Sequence, residues 1–217
     1  MSLSHRALVC AAALAACGDA PPPAAPPAPT PPPAAAPAPA PAGLTGAALV
    51  GTWVGPCNAS PAGDGSFTQL TFRMTDTTWD LDYVAHGDAT CSGNAKFLTV
   101  NIQGPYTIGG PSAAGPGAHE GTFGYTQKSV TAGQDAAVGF LKEKCGFDAK
   151  VGVPVDLAAG CANLGAYPIA DCKEEFDIVR LEGDTLQFGK RPADNNMCAP
   201  DKRPTTFEGG AAVKKTG

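Results

Sequence analysis

At 217 residues, 43% of them hydrophobic, the chain is long enough to bury one substantial core. Its formal net charge of -5, with no basic stripe, excludes a nucleic-acid binder that works by neutralising phosphates. Eight cysteines without a CxxC pair, and only His86 and His119 beside them once the N-terminus is removed, argue against zinc, so no metal or cofactor is expected.

The N-terminus carries His5 and Arg6 and then an apolar run, Ala7 to Ala16, broken only by Cys10. That run is shorter than the roughly 20 residues a membrane-spanning helix needs, and small residues close it, as in a cleaved signal peptide. "LAAC", Leu14 to Cys17, resembles the lipobox of bacterial lipoproteins. The resemblance implies that residues 1–16 are a signal peptide and that the Cys17 thiol receives diacylglycerol, with a further acyl chain such as palmitate on the new N-terminus. It implies a lipoprotein of the bacterial cell envelope, and Gly18 rather than aspartate after the cysteine fits the outer membrane. The alternative is an ordinary signal peptide cut near Ala16.

From Ala20 to Gly43 the chain is almost only proline and alanine. Proline fixes φ and lacks a backbone donor, so this stretch is expected to be an extended polyproline II stalk without a core, reaching on the order of 60 to 70 Å. Residues 17–43 are therefore read as lipidated cysteine plus stalk, and residues 44–217 as one folded domain with no second membrane-spanning segment.

Within that domain the hydrophobic period is mostly two. Thr68, Leu70, Phe72 and Met74 alternate with polar residues, as do Trp79, Leu81 and Tyr83 and then Leu98, Val100 and Ile102, so each run reads as a half-buried strand. Further strands are expected at Leu49 to Cys57, Tyr106 to Gly109, Gly121 to Val130, Glu174 to Leu181 and Thr185 to Gly189, with "EGDT", Glu182 to Thr185, as a hairpin turn. The Gly- and Pro-rich stretch Gly104 to Gly121 reads as a long loop. One helix is expected between a capping box formed by Thr131 and Gln134 and a terminator at Gly146, burying Ala137, Phe140 and Leu141. The fold class is mainly β: an antiparallel barrel of about eight or nine strands with one α-helix, since closure removes exposed edges.

"GTW", Gly51 to Trp53, resembles the G-x-W that opens lipocalin-like barrels, and the resemblance implies a tryptophan plugging the barrel end beneath a late arginine, Arg191 or Arg203. A longer match joins "CGFDAKVGVPVDLAAGCANLG", Cys145 to Gly165, with "LQFGKRPADNNMCAPDKRPTTF", Leu186 to Phe207. Together these resemble, over about Leu49 to Gly210, the domain of the adenomatosis polyposis coli down-regulated 1 family. The resemblance implies a lipocalin-like barrel with an apolar cavity. The chain departs from that family in having one domain, an N-terminal lipid instead of a C-terminal membrane helix, and no tryptophan after Cys145.

The strand order suggests three disulfides. Folding the chain about Gly183 and Asp184 brings Cys172 toward Cys198, successive hairpins leave Cys57 and Cys91 at one barrel end, and Cys145 with Cys161 remains. Six cysteines allow 15 pairings, so this set is one of several.

Alternation assigns Leu70, Phe72, Met74, Trp79, Leu81, Tyr83, Val100, Ile102, Phe123, Tyr125, Phe176, Ile178, Leu186 and Phe188 to the barrel interior. There they either line a cavity for a hydrophobic small molecule, a lipid or the lipid moiety of a partner, or simply fill the lumen, since an eight-stranded barrel has room for one or the other. The first alternative makes the chain a membrane-anchored carrier of an apolar ligand. The second makes it an envelope protein-protein interaction or inhibitor module. Catalysis is not expected: G-x-S-x-G, H-E-x-x-H and phosphate loops are absent, Asp80 and Asp82 read as a solvated face, and the adjacent His119 and Glu120 point to opposite faces of a strand.

Overall fold

The computed structural model describes residues 43–60 and 63–216. The expected anchor at Cys17 and the stalk lie outside them. After a four-residue helix α1 (Gly46–Leu49), the strands are β1 (Gly51–Val54), β2 (Asn58–Ala59), β3 (Phe67–Met74), β4 (Thr78–His86), β5 (Lys96–Pro111), β6 (His119–Gly124) and β7 (Gln127–Ala132). Helix α2 (Asp135–Cys145) separates these from β8 (Pro154–Asp156), β9 (Glu174–Glu182), β10 (Thr185–Phe188) and β11 (Ala212–Thr216).

Eight of the strands close into an antiparallel barrel in the order β3-β1-β11-β10-β9-β6-β5-β4 and back to β3, with β2 added beside β3 and β7 and β8 beside β5. The last strand makes the closure. β11 pairs with β1 on one side, Trp53 opposite Lys215, and with β10 on the other, Leu186 opposite Val213. "AVKKT" has a single buried residue, Val213, and no extended alternation, which is why the sequence did not announce it.

Interior side chains meet across the lumen. Phe72 on β3 and Phe188 on β10 stack at 4.6 Å, although two strands separate them on the wall. Phe123 on β6 lies 5.3 Å from Trp79, 5.8 Å from Tyr106 and 5.9 Å from Phe188. Aromatic pairs at such separations contribute about 0.5–1.5 kcal/mol each beyond area burial.

β5 is long because it serves two neighbours on one side. Its first half pairs with β7 and its second half with β6, while β4 runs along the other edge. The change of partner requires close backbone approach: a Cβ on Gly104 would stand 2.0 Å from the Gly124 carbonyl oxygen. This overturns the loop expected at Gly104 to Gly121, of which only residues 112–118 lie outside strands. The single strand expected at Gly121 to Val130 likewise divides, β6 staying in the barrel and β7 leaving it.

Helix α2 covers the sheet where β7 departs. Ala137 and Leu141 are fully buried against Leu98, Val100, Val130 and Ala132, and Phe97 meets Phe140 edge-on at 5.8 Å. Gly146 ends the helix in the left-handed conformation, as expected, but the capping box does not form. Thr131 is paired with Thr99 and Pro154 in the sheet, so the strand claims it first, and Gln134 occupies the N-cap without a side-chain bond.

The disulfides are Cys57–Cys91, Cys145–Cys161 and Cys172–Cys198. The last ties residues 189–211, the strap between β10 and β11, to the foot of β9. Deleting residues 212–217 is expected to leave one edge of β1 and one edge of β10 open, with loss of the cooperative urea transition followed by tryptophan fluorescence; a truncated chain that keeps that transition would place closure elsewhere.

Candidate functional site

The expected interior residues divide three ways. Phe72, Met74, Trp79, Phe123, Tyr125, Leu186 and Phe188 are buried members of the first core, and Leu70, Leu81 and Ile102 pack against it. Val100 and the half-buried Tyr83 belong instead to the second core under α2. Phe176 and Ile178 are corrections: β9 turns them outward. Phe123 faces Glu175 and Gly121 faces Asp177 across the ladder, so the inward residues of β9 are Glu175, Asp177 and Val179. Ile178 is nevertheless fully buried, because the strap lies over the outer face, where a Cβ on Gly189 would meet both Pro204 and Ile178.

The expected arginine over Trp53 is also corrected. The cation there is Lys215, 5.3 Å from the ring, since β11 pairs directly with β1. Arg203 works on the opposite wall, where it donates to the Gly121 carbonyl at 2.7 Å and to the Asp177 carbonyl, lies over Phe176 and pairs with Glu120 at 3.3 Å. It thereby pins the strap to β6 and β9. Arg191 donates to Glu175 at 2.5 Å and to the Asn195 side chain.

These contacts define a polar cluster at the edge of the apolar core. Lys128 sits opposite Ile102 on the inward face of β7 and is only 4% exposed. Its Nζ lies 3.6 Å over the Tyr125 ring and donates to the Tyr167 carbonyl at 3.2 Å. Burial lowers its pKa, with Arg191 adding to the drop and Glu175 opposing it. Burial raises that of the Tyr125 phenol, with Glu175 beside it. The chain continues through Asn195, which donates to the Gly165 carbonyl at 2.9 Å, and Tyr167, which donates to the Asp194 carbonyl at 2.9 Å. The cluster thus joins β6, β7 and β9 to the strap and to residues 157–171, the cap.

Asp177 is the extreme member. It is 4% exposed, and its Oδ1 accepts from the backbone amides of Ile178 at 2.7 Å and Gly189 at 3.0 Å. Burial pushes the carboxyl up to about 7, against Arg191 and the two amides and with help from Glu175. Sequence alternation alone did not separate Glu175 and Asp177 from Phe176 and Ile178, because both faces of β9 are covered. Lys128, two residues from the buried Val130, was the one member the period of two could have marked.

Elsewhere the polar pairs are satisfied on the surface. Arg73 forks between Asp80 and Asp82 at 2.6 Å to each, with Asn101 and Gln103 completing the network on the outer wall. His119 and Glu120 do part: Glu120 meets Arg203 outside, while His119 Nε2 accepts from the Leu44 amide at 3.3 Å. Among the described residues no group of three or more His, Cys, Asp or Glu could hold a metal ion.

Two open grooves lie on the cap and strap. One of about 340 Å³ is lined by residues 159–162 and 165–168 and by Asp194; the other, of about 310 Å³, by Ala170, Asp171, Lys173, Glu174, Phe176 and residues 198–200 beside the Cys172–Cys198 bridge. Neither is lined by the aromatic interior. No protein-family model and no characterised protein sequence matches the chain.

Asp177 sets a pH dependence. Its folded pKa is raised above the unfolded value, so its contribution to stability is full below about pH 4 and is lost as pH rises through about 7. Asp177→Asn keeps an acceptor for Ile178 and Gly189, and urea midpoints measured from pH 4 to 8 are expected to fall less with pH in that variant than in the wild type; parallel profiles would remove Asp177 as the cause.

Proposed function

We propose that the chain is a lipid-anchored protein of the bacterial envelope, a relative of the adenomatosis polyposis coli down-regulated 1 domains, and that it binds a protein partner through its outer surface. On this reading acylated Cys17 and the Pro/Ala stalk tether a barrel whose cap and strap carry the contact surface. The observation that supports it is the stacking of Phe72 on Phe188 across the lumen. Side chains occupy the space a resident apolar ligand would need, and the two grooves lie outside, on segments fixed by Arg191, Arg203 and the Cys172–Cys198 bridge.

The chemistry of those segments agrees with such a role. They expose backbone and small side chains over a rigid support, so a partner pays little ordering entropy on that side. The larger groove meets the polar cluster at Gly165, Tyr167 and Asp194, and the cluster is read as the joint that holds cap and strap in place.

Photo-crosslinking in cells tests the surface. A photoreactive residue at Asp194 or Ala199 is expected to capture a protein, whereas one at Thr71 on the opposite outer wall is not; capture from Thr71 alone, or an apolar molecule that co-purifies and is lost in Phe123→Ala, would defeat the reading. The tether has its own test. Cys17→Ser is expected to move the protein from the membrane to the soluble fraction, and a variant that stays membrane-bound would remove the acyl anchor from the proposal.

A further inference from the structure

The three disulfides differ in what surrounds them. Cys161 and Cys172 are 8% and 1% exposed, so two of the bridges have one cysteine shut away from solvent, whereas Cys57 and Cys91 are both partly exposed. Their bridge fastens the start of β2, which pairs only with β3 and stands outside the closed barrel, to residues 87–95, the loop between β4 and β5. Opening it removes no barrel pairing.

Two features of that loop disfavour the closed form. Cys91 has φ 50°, a left-handed backbone that a Cβ makes costly; among the described residues the one other non-glycine with positive φ is Asn195, and asparagine tolerates it. His86 faces outward from β4 in step with Asp80 and Asp82, yet it is 2% exposed because the loop folds over it. Its Nδ1 donates to the carbonyl of Ser92, the residue after Cys91, at 3.2 Å, and its Nε2 is buried with no partner. In the neutral ring Nδ1 then carries the proton and Nε2 is a bare acceptor, which burial makes destabilising. Asp88 cannot serve it, since its carboxylate already accepts from Thr90 and Ser92 and has no proton to give. A disulfide has none either; a thiol has one.

We propose that Cys57–Cys91 is an exchange site for the dithiol of a redox partner, and that His86 Nε2 is the acceptor prepared for its reduced form. A partner thiolate attacks Cys57 Sγ, a new S–S bond joins the two proteins, and the Cys57–Cys91 bond breaks with its electron pair leaving on Cys91. The leaving group is Cys91 because both gains lie on its side: the new thiol takes a proton from water and donates to Nε2, and the backbone relaxes out of the left-handed region. The partner's second thiolate then attacks the partner sulfur of the mixed disulfide and releases Cys57, which is protonated in turn. Two electrons and two protons have passed to the bridge, the partner leaves as a disulfide, and the reverse sequence re-forms Cys57–Cys91. The exchange needs neither cap nor strap, so it stands apart from capture of a partner by that surface.

With the full chain in buffers of reduced and oxidised dithiothreitol, alkylation and peptide mass spectrometry read each bridge separately. Cys57–Cys91 is expected to open at a reduced-to-oxidised ratio about tenfold or more below that of either other bridge, with the near-ultraviolet circular dichroism of the folded chain retained. His86→Leu is expected to raise that ratio about tenfold for Cys57–Cys91 and to leave the other two bridges unchanged, a selectivity that general loosening of the fold would not give. A thioredoxin whose second active-site cysteine is replaced by serine is expected to be trapped on Cys57. Earlier opening of another bridge, opening of all three together with loss of the dichroism signal, an unshifted ratio in His86→Leu, or trapping on Cys91 would each overturn the proposal.

Discussion

Contact between Phe72 and Phe188 across the lumen is the constraint around which the molecule is arranged. The two rings stand on strands that are not neighbours, so they meet only when β11 has brought β1 and β10 together. Closure and core formation are therefore one event. Each wall residue that reaches the centre, Trp79, Phe123 and Tyr106 among them, adds buried area and an aromatic partner that an open sheet of the same strands would not supply.

A filled lumen moves the question of function to the periphery. Segments outside the barrel strands add to the apolar column: residues 43–50 contribute Leu44 and Leu49, and the cap contributes Tyr167 and Ile169 to the same core. Around the cap lies the polar cluster, in which Glu175 is paired with Arg191 and Lys128 is left with a carbonyl and an aromatic face. Buried charges of this kind are costly unless their partners stay in place, so removing one partner is more disruptive than the net worth of the pair suggests. They tie the strap and cap to one register on β9.

Much of the barrel was legible from alternation. β3, β4, the first half of β5 and the β9–β10 hairpin follow the period of two closely, and the disulfides follow from the way those hairpins fold back. Where reading failed, the cause is physical. Phe176 and Ile178 looked inward because they are apolar, yet the strap gives β9 a second buried face. Thr131 looked like a helix cap, but its backbone was already committed to β7. Arg191 and Arg203 were the natural cations for Trp53, whereas the strand that reaches Trp53 carries Lys215.

Local sequence determined the class of the domain, the strands β3, β4, β9 and β10, the one long helix with its Gly146 terminator, and a cysteine set of even number. These depend on side-chain period, turn chemistry and composition, which neighbours along the chain decide. Tertiary structure alone decided that β11 closes the barrel, that the lumen is packed across its width, and that Lys128, Glu175 and Asp177 share a buried polar cluster with the strap. Such features depend on which residues meet after 50 or 100 intervening positions, and a period of two assigns a side chain to a face without saying what will cover it.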